Sequence, residues 1–172
     1  MPGTLEDYAV AVTNVISICR DAEQGFRGAA DAVKQPALKE MFERYSEQRG
    51  RFASELQEAV KSMGFDTPHP SGVAGTLHGA WMTVKGALTN HSEHAILAET
   101  ERGEDWSLKT YREALDKHLP VGVRSIIEQQ YEQVQQGYQQ IKLLREATAP
   151  KQPLPPQTPP AQQPPPSNTA QS

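Results

Sequence analysis

The sequence predicts an all-α protein, an up-down bundle of four long amphipathic helices followed by a proline-rich tail. Apolar side chains recur every three or four residues through most of the chain, the period of a helix with one buried face. No comparable run alternates apolar and polar residues as a half-buried strand does. Nine of the fourteen prolines lie from Pro150 onward, and the rest fall near the start or between helical stretches. The chain therefore divides into a bundle, residues 1–148, and a proline- and glutamine-rich tail, residues 149–172, which cannot build a core and is expected to be disordered.

The first two helices are predicted to form an antiparallel pair. The first spans roughly residues 4–33, where apolar positions repeat at helical spacing from Val12 to Val33. Pro36 suits the first turn of a second helix, where a missing N–H costs little, and this helix continues to Gly64. Because the connection between them is only a few residues long, the two helices must lie side by side.

The connection after the second helix is long and has helical periodicity of its own, from about residue 72 to 88. Ser92 is a typical cap for a third long helix, which stops before Pro120, and the fourth helix runs from about 121 to 147. A connection of this length can return along the whole bundle. The predicted fold is therefore ferritin-like, with one long helical crossover between its second and third helices.

Composition narrows the environment and the partners. Cys19 is the one cysteine, which rules out a disulfide within the chain and favours a reducing compartment. No apolar run approaches the ~20 residues of a spanning helix, and the start of the chain lacks the pattern of a signal peptide. The net charge of −4 disfavours non-specific binding to nucleic acid. We expect a cytoplasmic protein with neither nucleic-acid nor membrane partners.

Three carboxylates interrupt the apolar stripes where a core is expected. Glu23 lies on the inner stripe of the first helix, and Glu101 and Glu104 lie on that of the third. Counted from the end of the bundle where the first helix stops, Glu23 and Glu104 lie at similar heights, ~15 Å from that end. Gln48 and Tyr138 fall close to the same level. We expect the three carboxylates to converge, with Gln48 and Tyr138 as secondary contacts, while Gln130 is placed about two turns away with a smaller role.

Two explanations of this cluster stay open. Converging carboxylates inside a four-helix bundle can hold a divalent metal such as Fe, Mn or Zn, although no histidine follows a glutamate at the spacing that di-iron oxidases use. Alternatively, Arg49 neutralises the carboxylates in a structural polar layer that fixes helix register. The hydrogen-bonding partners in that layer would be Gln48, Tyr45, Tyr111 and Tyr138. Neither explanation requires catalysis, so an enzyme is not favoured.

Two features on the outside of the bundle are candidates for interactions. The fourth helix carries seven glutamines between Gln129 and Gln140, which are typical of a solvated face and could also form a hydrogen-bonding surface for a partner or for a second subunit in a homodimer. A tail segment such as Pro153-Leu154-Pro155-Pro156 could bind an aromatic groove on a partner, although an inert solubilising tail is also compatible with this composition.

Several short motifs together resemble a known family. They are Asp21-Ala22-Glu23-Gln24-Gly25-Phe26, Gln48-Arg49 with Phe52 and Glu55-Leu56, Gly75 with Leu77-His78 and Trp81, Ile96-Leu97 with Glu101-Arg102-Gly103-Glu104-Asp105 and Tyr111, and Leu119-Pro120 with Gln130. This pattern resembles the bacterial ferritin-like family catalogued as domain of unknown function 2383, over about residues 1–147, and the Glu-Arg-Gly-Glu-Asp run is its most specific part. The resemblance implies a ferritin-like fold and a link to metal or stress physiology, with no established reaction. It also implies that a histidine common in the family is replaced here by Tyr138.

Overall fold

The computed structural model describes residues 5–64 and 92–150, which form four long helices. They are α1 (Leu5–Ala32), α2 (Pro36–Ser62), α3 (Glu93–Leu115) and α4 (Val121–Ala147). The predicted all-α four-helix bundle is confirmed, and each helix lies close to its predicted bounds. The helix expected at about 72–88 and most of the tail lie outside the described residues.

The four helices are arranged in a square in which neighbours run antiparallel. In the described part of the chain, α1 packs against α2 and α3, and α4 packs against the same two helices. The start of α3 lies at the turn between α1 and α2, because Glu93 Oε1 accepts hydrogen bonds from the backbone N–H groups of Lys34 and Gln35. At the opposite end, the end of α2 lies beside the start of α4, where Met63 approaches Gly122. The chain between residues 64 and 92 therefore connects opposite ends of the bundle, as a single long crossover requires.

Local sequence signals account for the helix ends. Pro36 occupies the first turn of α2, and Ser92 Oγ accepts a hydrogen bond from the backbone N–H of Ala95 at the start of α3. Gly64 follows α2 with a φ of 80°, a left-handed conformation that glycine adopts without strain. Hydrogen bonds, chiefly from the backbone N–H of Gln35, lower the pKa of Glu93 below its ordinary value. These contacts fix where each helix begins and how α3 joins the α1–α2 turn.

The core consists of two apolar clusters along the bundle axis. One surrounds Val15, Leu56 and Ile127, and the other surrounds Phe26 and Phe42. Between them lie large polar side chains that are almost fully buried, among them Arg49, Glu104 and Gln130. None of the helices in the described ranges is long and apolar enough to cross a membrane. The polar side chains between the clusters are the feature of the interior that needs a chemical explanation.

Candidate functional site

A buried ion pair lies at the centre of the bundle. Arg49 Nη2 of α2 donates to Glu104 Oε2 of α3 at 2.5 Å, and the two side chains are 1% and 0% exposed. The Arg49 guanidinium also lies between two aromatic rings, 5.7 Å from the ring centre of Phe26 and 5.5 Å from that of Phe52. Burying a charge is unfavourable unless it is paired, so the carboxylate and the two ring faces together stabilise Arg49 in the interior.

Burial and pairing shift the pKa of each of these two groups in opposite directions. Burial raises the pKa of Glu104, and the adjacent Arg49 opposes that rise. Burial alone would lower the pKa of Arg49, but the charge and the hydrogen bond of Glu104 hold it above its ordinary value. Within the described residues, Glu104 Oε1 and Arg49 Nε are buried without a hydrogen-bond partner. The pair is therefore bound through one guanidinium nitrogen and one carboxylate oxygen, and each ion depends on the other for compensation.

A hydrogen-bonded chain next to this pair joins all four helices. Tyr111 of α3 donates its hydroxyl to Gln130 Oε1 of α4 at 2.8 Å, and Cys19 Sγ of α1 lies 3.1 Å from the same hydroxyl. Because the tyrosine proton is directed to Gln130, the thiol is the donor to Tyr111. Gln130 Nε2 in turn donates to the Phe52 carbonyl of α2 at 3.2 Å and to Glu55 Oε2 at 2.8 Å. We use the name polar layer for six residues around this chain and the ion pair, leaving out the exposed Glu55: Cys19, Gln48, Arg49, Glu104, Tyr111 and Gln130.

Two titratable groups of the polar layer, the Cys19 thiol and the Tyr111 hydroxyl, are kept in their neutral donor forms. Burial raises the pKa of the Cys19 thiol to about 11, although the Tyr111 hydrogen bond and Arg49 partly oppose it. Burial, reinforced by Cys19, also raises the pKa of the Tyr111 hydroxyl well above 10. A protonated thiol is a weak nucleophile, so Cys19 is suited to hydrogen bonding and packing rather than to chemistry.

The three carboxylates predicted to converge have separate partners. Glu104 is inside, paired with Arg49, whereas Glu101 forms an ion pair with Arg145 of α4 at the α3–α4 edge. Glu23 lies on the α1–α2 face, 3.1 Å from Arg20 Nη1 and 3.6 Å from Arg27 Nη2. Nowhere in residues 5–64 and 92–150 do three or more His, Cys, Asp or Glu side chains form a group that could hold a metal ion. The structure does not bring Glu23, Glu101 and Glu104 together, and this donor set does not fit a metal centre.

Of the two residues predicted as secondary contacts, Gln48 lies in the polar layer and Tyr138 does not. Gln48 belongs to the polar layer: its Oε1 accepts from Arg49 Nη1 at 2.5 Å, and its Nε2 donates to Gln133 Oε1 of α4 at 3.0 Å. Tyr138 is half-buried and packs instead against the apolar cluster around Val15, Leu56 and Ile127. The arginine that the polar-layer explanation names is therefore present at the expected position, with Gln48 beside it. Tyr111 belongs to the same layer but contacts Gln130 and Cys19.

Sequence reasoning underestimated Gln130 and did not identify its contacts. Gln130 is 1% exposed and its side chain bonds three other groups, although its height along α4 had suggested a smaller role. The signal was available, because Gln130 lies between Ile127 and Val134 on the stripe that α4 buries. Its partner Glu55 could not be found this way, because Glu55 lies outside the buried stripe of α2.

The fold and its interior define a class of protein, an all-α four-helix bundle with a polar layer across its core. The chain belongs to the family described as Domain of unknown function (DUF2383), whose family model matches residues 7–117. This match confirms the resemblance over α1, α2 and α3, while α4 and the tail lie outside it. A comparison with curated proteins finds no match.

Proposed function

We propose that this protein is a non-enzymatic interaction module of ferritin-like, cytoplasmic type, whose polar layer is structural and whose partner-binding surface lies on α2 and α4. The observation that carries the proposal is the pairing of the inner carboxylates. Glu104 is bound by Arg49, and Glu23 and Glu101 are bound by other arginines. Carboxylates engaged in this way support a role in holding the helices together rather than in binding a cation.

The geometry of the ion pair supports a role in helix register. Arg49 and Glu104 come from helices that lie diagonally opposite, so their contact depends on the axial position of both α2 and α3. A shift of either helix by one turn, ~5.4 Å, would leave both charges buried without a partner. A polar layer of this kind selects one arrangement among several that the apolar stripes alone would allow.

The burial of the reactive groups argues against catalysis. Cys19, Tyr111 and Glu104 are each no more than 1% exposed, so a substrate could not reach them without opening the bundle. Burial also raises the pKa of the Cys19 thiol to about 11, so the thiol stays protonated well above neutral pH. The interior therefore lacks an accessible nucleophile or base among the polar-layer residues.

A groove between α2 and α4 is the surface that supports interaction best. Its floor includes Leu38, Met41 and Gly137, and exposed glutamines of α4 form one wall. Glutamine side chains offer both donors and acceptors without charge, which suits recognition of a peptide backbone. We call this surface the α2–α4 groove; its lining residues include Tyr45, Gln48, Gln133, Gln136 and Gln140.

The test compares two pairs of glutamines on the same helix. Gln136 and Gln140 line the α2–α4 groove, whereas Gln135 and Gln139 are exposed elsewhere on α4 with the same spacing. The tagged full-length chain, the Q136A/Q140A variant and the Q135A/Q139A control are used to capture partners from a lysate of the source organism, followed by quantitative mass spectrometry. We expect the same proteins to be captured by the wild type and the control and lost from the groove variant. Equal capture by all three chains would overturn the proposal.

A further inference from the structure

We propose that the α2–α4 groove binds a proline-rich segment in the polyproline II conformation, and that in the free protein its occupant is the chain's own tail, within residues 151–166. This inference rests on the proposed function and names both the ligand class and its regulation. A partner with the same kind of segment would have to displace the tail. Four features of the groove support this inference: its shape, its hydrogen-bond donors, its low charge and its position next to the start of the tail.

The groove has the dimensions of a binding cleft. Its volume is about 520 Å³, within the ~300–1,000 Å³ of typical ligand sites, as are the volumes of two other grooves on the bundle. Leu38, Met41 and Gly137 are buried at its base, and the half-buried ring of Tyr45 lines it. Proline-rich segments bind in grooves that combine an aromatic ring with apolar floor residues. Gly137 has no side chain, which lowers this part of the α4 wall.

The hydrogen-bonding groups of groove and tail are complementary. A polyproline II segment makes no internal hydrogen bonds, so its carbonyl groups need donors from elsewhere. The proline positions of the tail cannot donate, which leaves it richer in acceptors than in donors. The side-chain amides of Gln136 and Gln140 are exposed along one wall, and Gln133 lies a turn further from the end of α4. These three amides are spread over ~10 Å of α4 and can donate to separate exposed carbonyls of an extended chain.

Charge distinguishes this groove from two others on the bundle. The α1–α2 groove is lined by six charged residues, including Arg20 and Glu58, and the α1–α3 groove contains Glu113, Asp116 and Lys117. The α2–α4 groove has one charged lining residue, Arg44. The tail is equally poor in charge, since Lys151 is the sole charged side chain from residue 150 to 172. Burying this tail against a charged surface would desolvate ions without compensating them, so the amide-lined groove is the better match.

The tail begins next to the Leu144 end of the groove. The groove extends along α4 from Leu144, close to where the helix ends at Ala147, back to Gln133. The 11 helical rises between Gln133 and Leu144 correspond to ~16 Å, which ~5 residues of polyproline II cover. The tail has 22 residues from position 151 onward, enough to reverse direction and lie along the whole groove. Docking within one chain also benefits from a high effective concentration.

Paramagnetic relaxation in the full-length chain tests this inference. A nitroxide is attached to A161C, in the part of the tail that should lie near the far end of the groove. Labelling at pH 7 leaves the buried, protonated Cys19 unmodified, and the wild-type chain serves as the blank. We expect most of the amide signal intensity to be lost at Gln133 and Gly137, while Lys109 on α3 keeps its intensity. Weak broadening that falls off only with distance from Ala149, and is the same on every helix at a given distance, would overturn the inference.

Two further samples make the result specific. The Q136A/Q140A variant should recover the groove intensities, and the Q135A/Q139A control should not. Mixing a spin-labelled ¹⁴N chain with an unlabelled ¹⁵N chain detects docking between copies. Broadening in that mixture as strong as within one chain would assign the tail to a second copy and overturn self-docking. If broadening is absent while captured partners still depend on Gln136 and Gln140, the inference fails and the proposed function stands. If broadening is present but partner capture does not depend on these two glutamines, the proposed function fails and docking of the tail stands.

Discussion

Arg49 and Glu104 connect two helices whose backbones do not approach each other in the described residues. Their contact, at 2.5 Å between Nη2 and Oε2, crosses the bundle diagonally from α2 to α3. The Arg49 side chain also lies near Gly137 of α4 and Phe26 of α1, so one residue contacts all the other helices. Because the charges are buried, the pair is expected to act more on the choice of helix arrangement than on net stability.

The Glu104→Gln variant should be strongly destabilised. The neutral amide leaves the Arg49 guanidinium buried without a counter-charge, and removing one partner of a buried pair costs about 3–5 kcal/mol. Urea unfolding followed by circular dichroism measures the change in the free energy of unfolding. The R49M/E104M double variant should lose much less than Glu104→Gln, because neither ion is left alone. A Glu104→Gln chain that is more stable than wild type would show instead that carboxylate repulsion dominates the interior.

The helix bounds could be predicted from the sequence because their signals are local. Pro36 at the first turn of α2, the Ser92 cap and Gly64 each act through the backbone within a few residues. The position of Arg49 on a buried stripe was equally visible, since an arginine among apolar residues needs a buried counter-ion. The sequence did not single out Glu104 as that counter-ion, because Arg49 was expected to neutralise all three carboxylates.

The partner of Glu101 could not be predicted in this way, whereas the partners of Glu23, Arg20 and Arg27, lie three and four residues away on the same helix. Two residues three positions apart on a helix differ by ~60° in direction, which suffices to place Glu104 inside and Glu101 at the α3–α4 edge. Which one points inward depends on the rotation of α3 and on Arg145, 44 residues further along the chain. Stripes with a width of ~100° do not resolve such a rotation, so the expected convergence of the three carboxylates did not follow.

Tyr111→Phe should reduce stability through the hydrogen-bonded chain. Removing the hydroxyl leaves Gln130 Oε1 and the Cys19 thiol buried without their observed partner, which costs about 1–3 kcal/mol per unsatisfied group. Tyr131→Phe is the matched control, because its half-buried ring lies 6.4 Å from that of Tyr111 and no described hydrogen bond involves its hydroxyl. Chemical denaturation should place the control within about 0.5 kcal/mol of wild type. Equal losses in both variants would contradict the role of the Tyr111 hydroxyl.

Alkaline pH should destabilise the fold partly through Cys19. Its pKa is raised from 9.0 to about 11, so above pH 9 the unfolded chain loses the thiol proton before the folded chain does. The unfolded state then binds fewer protons, and stability falls as pH rises from 9 to 11, by roughly 2–3 kcal/mol from this group. Cys19→Ser retains a hydroxyl near Tyr111 but does not titrate in this range. The difference in unfolding free energy between wild type and Cys19→Ser should therefore shift in favour of the variant across this interval, and a constant difference would contradict the assignment.

Gly137 separates the polar layer from the α2–α4 groove, and Gly137→Ala should be tolerated. A methyl group there would lie 3.5 Å from Arg49 Nη2 and 3.6 Å from Glu104 Oε2, which is ordinary contact. Alanine is also favoured over glycine within a helix, so we expect a gain of about 0.5–1 kcal/mol in thermal or urea unfolding. Gly137→Leu should be destabilised, because its larger side chain must displace the ion pair or the Tyr45 ring. A loss in Gly137→Ala as large as in Gly137→Leu would mean that the layer has no room even for a methyl group.

Metal binding is the remaining hypothesis for Glu23, Glu101 and Glu104, and the structure predicts its outcome. Each carboxylate is engaged by an arginine, so a cation would have to displace a guanidinium from each before binding. We expect elemental analysis of natively purified protein to match a chelator-treated blank, and the melting temperature to be indifferent to added Mn, Fe, Zn or Mg. Two variants are measured in the same way. E23Q/E101Q keeps the buried Arg49–Glu104 pair intact, whereas E23A/E104A disrupts that pair. Near-stoichiometric metal that both variants lose would contradict this expectation and would establish a site that requires Glu23, the carboxylate that both variants replace.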